Sequence, residues 1–223
     1  MKGNVKGEHA RMHRGKYIII EGQDGTGKTT QADLLQKHLE NHGVHVIHIK
    51  EPGGSPVTEA IRGVLLDSTL ARTPMTNALL FTAIRHELWH SVIQPALDAG
   101  TWVICTRNYI STLAYQGYGE GMDLQVIRAI TNTFTSKMYM EPDFSVVLAF
   151  DDIEARRQRI AERGSLTHPD TFESKETEFQ ETVQNAYHTI AQDLHIPIVQ
   201  ADQTVKEIHE HIMRLMRTTF SEV

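Results

Sequence analysis

Tyr17-Ile18-Ile19-Ile20-Glu21-Gly22-Gln23-Asp24-Gly25-Thr26-Gly27-Lys28-Thr29-Thr30 decides the architecture. The first four residues are apolar and mostly β-branched, the composition of a strand buried on both faces. Glycines then break the run. From Lys28 onward Ala32, Leu34, Leu35 and Leu39 recur at helical spacing until Gly43 stops them. Between strand and helix, Gly22 to Thr29 fits G-x-x-x-x-G-K-[ST]. Glycines let successive backbone N–H groups converge on an anion, and the helix N-terminus adds positive potential. A tight turn alone does not need the Lys-Thr pair. A triphosphate does: Lys28 reaches its β and γ phosphates, and Thr29 offers a hydroxyl to Mg²⁺. Gly22, Gln23, Asp24, Gly25, Thr26, Gly27, Lys28, Thr29 and Thr30 therefore read as the cradle for a nucleoside triphosphate.

Outward from this junction, strand-like and helix-like stretches alternate. Buried strands are expected at residues 17–20, 44–49, 101–105, 144–150 and 196–199. Helices are expected at 28–42, from Thr58 onward, at 75–99 with Pro95 kinking or dividing it, and up to about 115. Glycines over 117–121 should break the last of these, and further helices follow at 123–138, 153–163, 174–194 and 205–217. This alternation predicts an α/β fold, a parallel sheet covered by helices. The 223 residues suffice for one such domain over 16–223, behind a flexible basic leader at 1–15 that lacks the apolar run of a secretory signal. A net charge of -6 argues against a nucleic-acid backbone as partner. No apolar run approaches the roughly 20 residues of a membrane span. Cys105 stands alone, which excludes an intrachain disulfide and fits a reducing cytoplasm. The 13 histidines are scattered, and the pairs His45/His48 and His209/His211 lack further ligands at metal-binding spacing, so they read as surface or packing residues. No Asn-Lys-x-Asp segment is present to read guanine, and Thr106, not an acid, closes the third strand. A small-molecule kinase fits better than a GTPase, a motor or a transport ATPase.

From about Lys16 to Met216 the chain resembles the thymidylate kinase family in its bacterial branch. The resemblance rests on motifs in the family's order: Glu21 to Thr30; Glu51-Pro52-Gly53-Gly54 after the second strand; Ile61-Arg62 with Leu65-Leu66; Phe81 and Arg85 four residues apart; and Arg107 with Ser111-Thr112-Leu113-Ala114-Tyr115-Gln116-Gly117. It implies a P-loop fold with strand order 2-3-1-4-5, a short lid over about 156–173, a homodimer, ATP and Mg²⁺ as cofactors, and dTMP as the substrate. It also implies roles. Arg62 and Arg107 hold the acceptor phosphate, Phe81 stacks on the base, Arg85 bonds its edge, and Ser111, Thr112 and Gln116 lie near it. Tyr115 crowds the sugar's 2′ position, Asp24 faces the sugar or the metal shell, and Glu51 and Pro52 line the acceptor site. Without the resemblance, Arg62 and Arg107 read as surface arginines and Phe81 as a core aromatic. The catalytic set is Lys28, Arg107, Asp24 and the lid cations Arg159 and Arg163. Arg156 and Arg157 read as a solvated helix face. The Glu51-Pro52 peptide is expected to be cis.

Three positions depart from the family pattern: Thr106 where an aspartate usually precedes Arg107, Lys50 for an arginine, and Thr171 for a lid arginine. Glu21, Asp24 and Glu51 stand near the phosphates and are expected to compensate for the missing carboxylate. A kinase for another deoxynucleotide or deoxynucleoside, or a catalytically weak nucleotide-binding relative, are the alternatives.

Overall fold

The computed structural model describes residues 14–162, 172 and 176–220. The leader expected at 1–15 lies outside the described residues except for Arg14 and Gly15, and so does much of the lid, including Arg163 and Thr171. β1 (Tyr17–Glu21), β2 (Val46–Lys50), β3 (Trp102–Thr106), β4 (Phe144–Ala149) and β5 (Ile198–Gln200) form one parallel sheet in the order β2-β3-β1-β4-β5. The helical segments are α1 (Lys28–Asn41), α2 (Pro56–Leu66), α3 (Pro74–Leu88), α4 (Gln94–Asp98), α5 (Tyr109–Thr112), α6 (Leu124–Phe134), α7 (Lys137–Met140), α8 (Ile153–Glu162), α9 (Thr177–Asp193) and α10 (Val205–Thr219).

β1 is central and buried throughout. Because side chains alternate along a strand, it feeds two cores. Ile18 and Ile20 join Leu35 and Leu39 of α1 and Ile212 and Met216 of α10. Tyr17 and Ile19 join Leu88 of α3 and Val183, Tyr187 and Ile190 of α9. Each such buried side chain contributes about 1.5–3 kcal/mol. With helices on both faces, the C-terminal ends of β1 and β3 lie side by side, Ile20 opposite Thr106, and the loops leaving them share one crevice.

Element boundaries differ from expectation where capping decides them. α2 begins at Pro56, not Thr58, because Ser55 is its cap: the Ser55 hydroxyl accepts from the Thr58 amide and the Thr58 hydroxyl accepts from the Ser55 amide. The helix expected at 75–99 starts at Pro74 under the Thr73 cap and runs through a wide π-type turn at residues 89–93 into α4. Pro95 has no N–H for a regular bond one turn back, and the wide turn accommodates the missing donor. After α5 a second π-type stretch, residues 113–119, carries the chain past Gly117, and the expected break comes only at Gly121, where φ is +76. The helix expected at 123–138 is cut after Phe134 because the Ser136 hydroxyl caps α7. Among the described residues no helix is long and apolar enough to cross a membrane.

Candidate active site

The loop from Gly22 to Gly27 leaves β1 and is closed by its own backbone. Lys28 Nζ and Thr26 Oγ1 both donate to the Gln23 carbonyl, at 2.8 and 2.9 Å. Gly22 has φ of +139, and a Cβ there would stand 2.2 Å from the Leu148 carbonyl oxygen, so only glycine fits. Gly27 caps α1 in the left-handed region with no side chain on the helix end and no acid in the first turn. The first amides of α1 therefore face outward beside Lys28, as an anion site requires. Burial, and then the Arg107 charge, pull the Lys28 ammonium down to about 7. Bound phosphates would restore its charge. The residues fit a metal-bound triphosphate: the cradle is built from glycines and a buried lysine, and exposed Thr29 presents a hard oxygen donor in the first turn.

Next to this loop lies a cavity of about 180 Å³. All eleven residues expected to hold the acceptor line it: Asp24, Glu51, Pro52, Arg62, Phe81, Arg85, Arg107, Ser111, Thr112, Tyr115 and Gln116, with Lys50, Leu66 and Phe172 added. A larger groove of about 590 Å³ at the N-terminal ends of β4 and β5 contains none of them. Arg107, at the end of β3, adopts φ of +78, a conformation rare for a side chain of its size. Its Nη2 donates to Asp24 Oδ1 at 2.5 Å, and its Nη1 to Ser111 Oγ at 3.1 Å and to the Gly22 carbonyl at 3.3 Å. Burial works against the Asp24 carboxylate, but the charges of Arg107 and Lys28 outweigh it and hold the carboxyl well below its usual range. Tyr115 donates to Asp24 Oδ2 at 3.4 Å and lies 5.8 Å from the Arg107 guanidinium.

Arg85 is buried and held at three points. Nε donates to Glu51 Oε2 at 3.0 Å, Nη1 to Thr112 Oγ1 at 2.8 Å and Nη2 to the Asn108 carbonyl at 2.7 Å. It lies 5.5 Å from the Phe81 ring, which in turn lies 5.9 Å from Phe172. Gln116 is 1% exposed, and neither its Oε1 nor its Nε2 has a partner. Gln116 thus puts a buried, unpaired amide in the lining of the cavity. The Glu51-Pro52 peptide is cis.

A family profile described as thymidylate kinase matches residues 20–212. The chain belongs to the thymidylate kinase family. It is 35% identical over 199 residues to the thymidylate kinase of Halothermothrix orenii, covering 89% of this chain and 95% of that protein. It is 38% identical over 210 residues to that of Chlorobaculum parvum, covering 90% and 94%. The crystal structure of thymidylate kinase from Ehrlichia chaffeensis superposes with a TM-score of 0.72 at 27% identity, covering 92% of this chain and 99% of that one.

The geometry of this thymidylate kinase family member corrects one expectation drawn from the sequence. Arg156 is not on a solvated helix face. It is 4% exposed, its Nη1 donates to the Asp24 carbonyl at 3.2 Å, and α8 packs on the phosphate loop, with Ile160 against Gly25. Arg159 instead donates to the Ala201 carbonyl and lies 5.8 Å from the Phe150 ring. The spare carboxylates are all engaged by protein groups. Glu21 accepts from the amides of Gly22, Asn108 and Ser111 and from the Ser111 hydroxyl, Asp24 is paired with Arg107, and Glu51 with Arg85. Thr106 has His48 Nε2 at 3.4 Å, and His48 Nδ1 stands 3.2 Å from Asp33 on α1. Several contributors had no local signal in the sequence: Tyr187 reaches Ser111 and Glu21, and Gln180 accepts from Gln23.

Proposed function

We propose that the protein transfers the γ-phosphoryl group of ATP to dTMP, giving dTDP and ADP. The observation that carries this reading is the unpaired, buried amide of Gln116 beside Arg85 in a cavity adjoining the phosphate loop. Gln116 offers an NH2 donor group and a carbonyl acceptor, which suits a pyrimidine edge but not one pyrimidine over another. Arg85 can only donate. It therefore suits a carbonyl such as the C4 oxygen of thymine, a position where cytosine carries an amino group instead. Phe81 stacks on the ring, Ser111 and Thr112 border it, and Tyr115 with Asp24 closes on the sugar.

Arg107 and Arg62 hold the acceptor phosphate, whose oxygen is already a competent nucleophile and needs no base. It attacks the γ phosphorus, and the bond to the β–γ bridging oxygen breaks as ADP leaves. Arg107 touches both the Gly22 carbonyl and the acceptor cavity, which supports adjacency of donor and acceptor. Lys28 and the loop amides neutralise developing charge, and Arg156 stands close enough to add to it. Mg²⁺, held through Thr29 and the phosphates, would contribute further charge neutralisation. The protein acts in the cytoplasm as a homodimer, for which the exposed apolar residues Val57 and Val64 of α2, Met75 and Leu79 of α3, and Val126 and Phe134 of α6 are the support. Initial rates with dTMP and dCMP at equal concentrations test the reading. A preference for dTMP of at least about a hundredfold is expected, from one donor–acceptor mismatch against a buried arginine. Equal rates would remove it.

A further inference from the structure

Arg85 can read a base only if its guanidinium plane is fixed, and the one carboxylate among the three groups that fix it is itself held from outside the cavity. Glu51 is 2% exposed, and a buried carboxylate needs every lone pair it can satisfy. Oε2 accepts from Arg85 Nε at 3.0 Å. Oε1 accepts from the Tyr139 hydroxyl at 2.7 Å, with only the Cys105 thiol nearby at 3.9 Å. Burial pushes the Glu51 carboxyl up, and Arg85 and the Tyr139 hydrogen bond oppose that push. Tyr139 belongs to α7, is fully buried, and is not part of the cavity wall. Its ring is packed against Tyr17 and Trp89, with centroids 5.9 and 6.0 Å away. The hydroxyl is thus placed by an aromatic cage independent of the substrate.

We propose that Tyr139 is a positioning residue for base recognition, acting through the chain Tyr139–Glu51–Arg85. This rests on the dTMP-kinase reading of the cavity. Of five N–H donors, Arg85 commits three to Glu51, Thr112 and Asn108. The remaining two are aimed by those three bonds. Without the Tyr139 hydroxyl, Oε1 keeps only a weak thiol contact, the carboxylate rotates, and the two free donors lose their direction. Binding of the acceptor suffers, and binding of ATP, which involves none of these groups, does not.

Tyr139→Phe tests the proposal, since it keeps the caged ring and deletes only the hydroxyl. Tyr17→Phe is the control, because it removes a neighbouring buried hydroxyl that makes no bond to Glu51. Calorimetric titration with dTMP and with a non-hydrolysable ATP analogue is combined with steady-state kinetics and a melting curve for each protein. Tyr139→Phe is expected to weaken dTMP binding about tenfold and raise its KM in parallel. Binding of the ATP analogue and kcat at saturating dTMP should stay within about twofold, and Tyr17→Phe should bind dTMP like the wild type. Unchanged dTMP affinity in Tyr139→Phe, or an equal loss of both ligands, overturns the positioning role. A wild-type protein that does not bind dTMP at all overturns the functional reading and this proposal with it.

Discussion

A buried amide without partners, as at Gln116, lowers the stability of the ligand-free fold by roughly 1–3 kcal/mol for each unmet group. In the proposed function the same unmet groups are completed by the base. Gln116→Met should therefore raise the melting temperature of the ligand-free protein while weakening dTMP binding about tenfold, with ATP-analogue binding unaffected. Thermal unfolding and calorimetry of the two proteins check both signs. A lower melting temperature with unchanged dTMP affinity would show that the amide serves the fold. At this scale the sequence was legible where function follows spacing. Phe81 and Arg85, one helical turn apart, do share a cavity wall, and the motif residues Ser111, Thr112, Tyr115 and Gln116 do line it. It was illegible where a role depends on distant partners. Tyr139 meets Glu51 across 88 positions and Tyr187 meets Glu21 across 166, and no local pattern marks either. Arg62 and Arg107 read as surface cations until the fold put both in the cavity lining, because a cavity-lining arginine and a solvated one have the same local signature.

α8 is the element whose reading changed most. Its run of arginines looks like a solvated face, since periodicity shows only that a helix has a polar side and not what that side meets. Here it meets the phosphate loop, through Ile160 on Gly25 and Arg156 on the Asp24 carbonyl. Arg156→Met should lower kcat about a hundredfold, the usual magnitude for removing one preorganised cation, with the KM for dTMP changed less than about threefold. Steady-state kinetics decide it, and an unchanged kcat would return Arg156 to a packing role. The glycine and proline positions show how such signals are realised. A wide π-type turn at residues 89–93 precedes Pro95 inside a continuous helical run, and of the glycines over 117–121 Gly117 lies within a π-type stretch while the break falls at Gly121. Helix-breaking propensity is a local term of about 1–3 kcal/mol, and tertiary packing around β3 and α9 outweighs it.

For the whole molecule, the strand order and the alternation of elements followed from the motif at β1 and the family resemblance, and the sheet bears them out. The association state is a separate matter, since an apolar helix face reads alike whether it is covered by the same chain or by another. Phe134 is 50% exposed on α6, and Val64 and Leu79 are exposed on the neighbouring helices. Sedimentation at micromolar concentration should show a dimer, and Phe134→Glu should shift it to a monomer. A monomeric wild type would assign that face another use. The central claim is that the phosphate loop and the adjoining cavity form one phosphotransfer site for dTMP. Chromatographic separation of nucleotides after incubation with ATP, Mg²⁺ and dTMP tests it most directly. The account predicts dTDP and ADP in equal amounts, with formation reduced at least about a hundredfold in Lys28→Ala. ADP appearing without dTDP, or dTDP formed undiminished by Lys28→Ala, would contradict it.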